Sequence, residues 1–133
     1  MNLTAETQRE MFWMLLLSRR LDERAWMLHR QGKIAFHISG IGHEAAQIGA
    51  AFAIRKGEDW VAPYYRDLAL LLSLGYTPRH FMLSLMGKAE EPSSGGRQMR
   101  SHWYYRPANV VSQSGRVATQ NVHAAGIALG IKL

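Results

Sequence analysis

Tyr64, Tyr65, Arg66 and Asp67 stand side by side in "WVAPYYRDLALLLSLGYTP", between a short apolar run and a leucine-rich stretch. A core element has no use for the arginine and the aspartate. A surface loop has none for Trp60, Val61 and two phenol rings. The junction therefore reads as a place where a cation and a phenol are held together. A second group is His37, His43 and Glu44 in "HISGIGHE". Imidazole and carboxylate are zinc ligands, but a spacing of six between the histidines suits no single helical face, and no "HExxH" is present. These residues read instead as a helix N-terminus, with a partly exposed histidine and an acid facing the positive end of the helix. A third is "GGRQMRSHW", where glycines would let backbone N–H groups close on an anion. It lacks both "GxxxxGK[ST]" and "GxGxxG". Taken alone it is a mobile surface loop, and His102 within it carries no chemistry by itself.

The elements that must position these groups follow from periodicity and punctuation. Thr4 precedes a run with Glu6 in its first turn and Gly32 at its end, the pattern of an N-cap, an acid at the positive pole and a C-terminal glycine. Met14, Leu17, Leu21 and Leu28, widened by Phe12 and Leu16, predict an amphipathic helix of about seven turns. Arg19, Arg20, Asp22, Glu23 and Arg24 read as its solvated, salt-bridged face. A second helix is expected between Gly42 and Gly57. Its face of Ala45, Ala46, Gly49, Ala50 and Ala53 would let another backbone approach closely, which predicts a sandwiched helix. "DWVAP" reads as a short strand stopped by Pro63. A third helix then ends near Gly75, and Thr77–Pro78 starts a fourth that runs to about Gly87. The stretch from Gly87 to Asn109 is irregular but rich in rings, with Pro92–Trp103 expected to order only against a ligand and a partner. "NVVSQSG" reads as strand and turn, and "RVATQNVHAAGIALGIKL" as a last helix of small residues. That helix is still apolar at Leu133, so the chain is expected to be a truncated piece. Helices alternating with short strands predict an α/β, helix-rich fold with short parallel strands.

Composition narrows the partners. The chain has 133 residues, 47% of them apolar, with 16 Lys+Arg against 10 Asp+Glu for a net charge of +6. Such a balance suits an anionic partner, yet the arginines are dispersed, which argues against a nucleic-acid stripe. There is no cysteine, which excludes disulfides, thiolate metal sites and a cysteine nucleophile. "MFWMLLL" spans seven residues, against the roughly 20 needed to cross a bilayer, and charge follows rather than precedes it. The expectation is a cytoplasmic protein with no membrane contact.

Four motifs in order, "RQGKIAFHISGIGHEAAQIGAAFAI", "YYRD", "SSGGRQMRSH" and "VATQ" followed by "HAAGIALG", together resemble the alpha subunit of the thiamine-diphosphate-dependent 2-oxo acid dehydrogenases. The branched-chain type is the nearest likeness, with pyruvate and acetoin dehydrogenase alpha subunits as poorer ones. The resemblance runs from about Met11 to Leu133 and implies that residues 1–133 form the N-terminal portion of a thiamine-diphosphate-binding dehydrogenase domain. It implies that Tyr65 and Arg66 hold the cofactor's diphosphate, with the arginine supplying a charge-assisted fork. Val117 matches a position whose main chain contacts the aminopyrimidine ring, and Gly115 lies in the same turn. Ser114, Arg116 (through its backbone oxygen), Thr119 and Gln120 match a monovalent-cation loop, for potassium, although "SGR" stands where the family commonly reads Ser-Ser-Pro. Phe36, His37 and Ile38 fall where the family lines its substrate pocket.

By the same resemblance, the whole enzyme oxidatively decarboxylates a branched-chain 2-oxo acid of the 3-methyl-2-oxobutanoate type. It passes the acyl group to a lipoyl-bearing acyltransferase component and works with a beta subunit in a heterotetramer. The family's magnesium motif, "GDG" with a following asparagine, and its acyl-transfer histidine loop lie outside these residues. The isolated chain is accordingly expected to lack activity and to self-associate through its last helix. The competing reading is an inactive binding or scaffold fragment derived from such an enzyme.

Overall fold

The computed structural model describes residues 3–133. It is helix-rich. Helix α1 spans Ala5–Arg30, α2 Glu44–Ala53, α3 Leu68–Ser73, α4 Pro78–Leu85 and α5 Thr119–Lys132, with a 3-10 turn at Arg106–Ala108.

The caps lie where the sequence places them. The Thr4 side chain accepts the Thr7 N–H at 3.2 Å. Past the other end of α1, the Gly32 and Lys33 N–H groups return to the His29 and Leu28 carbonyls, and Gly32 takes φ +68°, which glycine adopts without strain. In α4, Thr77 and His80 cap each other reciprocally, with Pro78 in the first turn.

The faces turn out differently. The deepest residues of α1 are Ser18, Asp22, Ala25 and Leu28. Met14, Leu17 and Leu21 pack half-buried beside them, and Phe12 and Leu16 face solvent. The buried stripe is thus rotated toward Asp22, which is 3% exposed rather than part of a solvated face. In α2 the small-residue face is open: Ala45, Ala46, Gly49, Ala50 and Ala53 are exposed, while Glu44, Gln47, Ile48 and Ala51 are buried. Among the described residues α2 is not sandwiched, because α1 and α3 both pack on its polar-edged side.

The centre of the molecule is α3, whose Leu68 to Leu72 are all buried. Around it lie Ala25, Leu28, Ile34, Phe81, Leu85, Trp103 and Val110. Burying side chains of this size is worth about 1.5–3 kcal/mol each, which makes α3 the element the others are built on.

Among the described residues the two expected strands shrink to isolated bridges. Val61 pairs in parallel with Val110, and Tyr105 pairs antiparallel with Val110. The Val61 N–H donates to the Asn109 carbonyl at 3.0 Å and its carbonyl accepts from Val111 at 2.9 Å. The next residue of that strand in register is Pro63, which has no N–H to donate, so the ladder stops after one rung.

Helix α5 begins after Ala118 in the left-handed region (φ +68°), and none of its residues is buried. An open cleft of about 450 Å³ separates Ile127 and Ile131 from Trp60 and Arg55. No helix is long and apolar enough to cross a membrane among the described residues.

Candidate functional site around Arg66

The Tyr64–Asp67 junction is a closed turn at the start of α3. The Asp67 carboxylate accepts the Tyr64 N–H at 2.8 Å, and the Asp67 N–H returns to the Tyr64 carbonyl at 3.0 Å. Burial pushes the Asp67 carboxyl up from its ordinary range, against the pull of that hydrogen bond. The Tyr64 and Tyr65 rings lie 4.1 Å apart between centroids, and the Arg66 guanidinium sits 5.4 Å over the Tyr65 ring.

Arg66 is pinned by its neighbours. Its Nη1 donates to the Ser39 carbonyl at 2.5 Å, and its own carbonyl accepts Gln47 Nε2 at 3.0 Å. The Gln47 Oε1 accepts the Ala69 N–H at 3.1 Å, so one amide ties both flanks of the turn to α2. Arg19, Arg55 and Arg79 each have a carboxylate partner. Arg66 has none among the described residues, and it is half-buried. A held guanidinium with unspent donors and no counter-charge suits an external anion.

The segment from Phe36 to Gly40 is anchored by Asp22. Its Oδ1 lies 2.9 Å from His37 Nε2, and its Oδ2 accepts the Gly40 N–H at 2.8 Å. Burial alone would raise the Asp22 carboxyl, but the bonds from His37 and Gly40 outweigh it and hold the group below its ordinary value. Beside it Glu44 bridges Arg19, at 2.6 Å, and the Gly42 N–H, at 2.7 Å. Its carboxyl is likewise raised by burial and then drawn below the usual range by those donors. Glu44 thus serves the start of α2, as its position suggested, while His43 is exposed and makes no capping bond. Among the described residues no three His, Asp or Glu side chains converge as metal ligands.

The glycine-rich segment is organised rather than loose. The Glu91 carboxylate accepts the Ser93 N–H at 2.7 Å, the Ser94 N–H at 2.8 Å and the Ser94 hydroxyl at 3.1 Å. Ser93 reaches the Tyr104 carbonyl at 3.0 Å, and Arg100 Nε donates to the Leu85 carbonyl. This scaffold leads to Ser101, His102 and Trp103, all buried.

From there Gln113 reaches back to the Ser101 carbonyl at 2.6 Å, and the His102 ring lies against Gly115. In the Ser114–Gln120 loop, the Arg116 N–H donates to Ser114 Oγ at 3.3 Å, Val117 is 71% exposed, and Thr119 and Gln120 begin α5 half-buried. Arg66, with Tyr65 beside it, is therefore joined to Ser39 and Gly40, the two residues that follow the Phe36–Ile38 loop. No hydrogen bond or ring contact joins Tyr65, Arg66 or that loop to Ser114–Gln120 among the described residues. Sequence reasoning placed Glu44 at the start of α2 but missed Asp22, Gln47 and Glu91, which also hold these loops. The one available signal was an acid or amide two to five residues from a glycine-rich turn, and only for Gln47 and Glu91.

A model of the Dehydrogenase E1 component family matches residues 13–133. The chain belongs to that family. Among curated relatives, it is 47% identical over 129 residues to the 2-oxoisovalerate dehydrogenase subunit alpha of Bacillus subtilis (strain 168), covering 97% of this chain and 39% of that protein. It is 34% identical over 128 residues to the 3-methyl-2-oxobutanoate dehydrogenase subunit alpha of Mycobacterium tuberculosis (strain CDC 1551 / Oshkosh), covering 96% and 32%. It is 33% identical over 131 residues to the pyruvate dehydrogenase E1 component subunit alpha of Bacillus subtilis (strain 168), covering 98% and 32%. This E1 component chain thus spans no more than 39% of the length of these three relatives.

Proposed function

We propose that these residues are the N-terminal portion of the alpha subunit of a branched-chain 2-oxo acid dehydrogenase, within a thiamine-diphosphate-binding α/β fold. The observation that carries the reading is Arg66, a half-buried guanidinium pinned through one nitrogen and unpaired with any carboxylate among the described residues. The greater likeness to a 2-oxoisovalerate than to a pyruvate dehydrogenase subunit, 47% against 33%, supports the branched-chain substrate class.

Tyr65 and Arg66 grip the diphosphate, with the tyrosine ring steering the guanidinium and excluding water on one side. Phe36, His37 and Ile38 line the pocket for the 2-oxo acid. Gly115 and Val117 offer main-chain groups to the aminopyrimidine ring, and Ser114, Arg116, Thr119 and Gln120 supply oxygens for potassium. When bound, thiamine diphosphate supplies the electron sink for decarboxylation, and magnesium on protein oxygens outside these residues neutralises the diphosphate. The whole enzyme is a cytoplasmic heterotetramer with a beta subunit, and it hands the acyl group to a lipoyl-bearing acyltransferase.

The test is Arg66→Ala in the full subunit assembled with its partner. Cofactor binding should weaken by about 1.5–3 kcal/mol, the usual worth of a charge-assisted bond. Unchanged affinity by titration calorimetry would remove Arg66 from the site.

A further inference from the structure

We infer that Asp22 is a positioning residue that sets the place of Arg66, acting through Gly40. This rests on the reading of Arg66 as the diphosphate grip. Asp22 stands on the buried face of α1 and makes no contact with Arg66 through its bonded oxygens, which go to His37 and Gly40. Gly40 is where the force is passed on. A Cβ built on it would lie well inside 3.0 Å of the Arg66 carbonyl oxygen, so the two backbones touch with no side chain between them. From α2, Gln47 Nε2 donates to the same carbonyl at 3.0 Å. The Arg66 peptide is thus clamped between Gly40 and α2, and Asp22 supplies the bond that keeps Gly40 in place.

Two further features make the clamp stiff. The space left among Asp22, Glu44, Gln47 and Arg66 is about 10 Å³, enough for one water at most. The Ser39 carbonyl, next in chain to Gly40, takes Arg66 Nη1 at 2.5 Å, so displacement of the Ser39–Gly40 peptide moves both ends of the arginine. His37, held by the other oxygen of Asp22, ties the substrate-pocket loop to the same carboxylate. A single side chain therefore sets the spacing between the pocket loop and the anion grip.

The experiment compares Asp22→Ala, Asp22→Asn and Arg66→Ala in the full subunit assembled with its partner. Hydrogen–deuterium exchange without cofactor is followed in peptides containing Gly40 and Leu68, whose N–H bonds the Arg66 carbonyl at 2.9 Å. Thiamine diphosphate affinity is measured by calorimetry. Asp22→Ala should speed exchange at both places and weaken cofactor binding roughly tenfold, with Asp22→Asn, which keeps one oxygen acceptor, falling between. Faster exchange at Gly40 that does not reach Leu68 overturns the inference. So does unchanged affinity in Asp22→Ala when Arg66→Ala has lost it. If Arg66→Ala binds cofactor normally while exchange is still transmitted from Asp22 to Leu68, the diphosphate reading fails and the positioning role stands. Should Asp22→Ala not fold, Asp22→Asn decides: faster exchange at both sites supports the role, and a change confined to Gly40 sinks it.

Discussion

Gly40 lies directly against the carbonyl of Arg66, with no room between them for even a methyl group. The obstacle is backbone, which cannot swing aside as the end of a lysine can. Gly40→Ala should therefore destabilise the chain by about 1–3 kcal/mol, the usual cost of overpacking a close contact. Urea unfolding reads this directly. A midpoint equal to the parent's would show that the two segments separate freely and that the clamp is not rigid.

Glu91 gives the glycine-rich segment an acid limit. Burial raises its carboxyl, but the Ser93, Ser94 and Gly96 donors outweigh that and leave it below the ordinary glutamate value. A depressed carboxyl contributes stability above its unfolded value, lost as pH falls through the folded one. Exchange in a peptide covering 92–98 should thus stay slow at neutral pH and rise, beyond the intrinsic trend, as pH drops below about 4.3. Glu91→Gln should loosen the segment at neutral pH and abolish the extra acid dependence. A pH response that survives the substitution would assign it to another group.

Gly49 sits mid-helix on the open small-residue face of α2, and an added Cβ meets nothing within 4 Å. In this chain alone Gly49→Ala should stabilise by about 0.5–1 kcal/mol through helix propensity. The same change in the assembled enzyme reports on what covers that face. A thermal midpoint that rises in the isolated chain but falls in the assembly marks a close packing contact there. A fall in both would mean the face is already covered within the chain.

Val122, Leu129 and Ile131 of α5 are 72%, 59% and 65% exposed. Apolar surface of that extent drives association. Sedimentation of the isolated chain across a concentration series should show reversible self-association, reduced by Leu129→Gln with Ile131→Gln. A monomer throughout the series would show that the exposed face of α5 does not drive association.

The ends of the helices and the chain's family were legible in the residues themselves. Caps are local chemistry: Thr4, Gly32 and the Thr77–Pro78 pair act within three or four residues, so their effect is written where they stand. The order of motifs from Met11 to Leu133 carried the family likeness. The junction of Arg66 with Ser39 and Gly40, and the direction in which each polar side chain points, were decided only by tertiary structure. Asp22 looked like one charge in a solvated run because its partners lie 15 and 18 residues away. Helical periodicity records apolar residues, and it is blind to an acid whose burial is offset by donors on a distant loop. The short strands failed for the complementary reason. Apolar residues such as Val61 and Val110 have the propensity, but a strand exists only when a neighbour supplies donors in register, and Pro63 removes the next one.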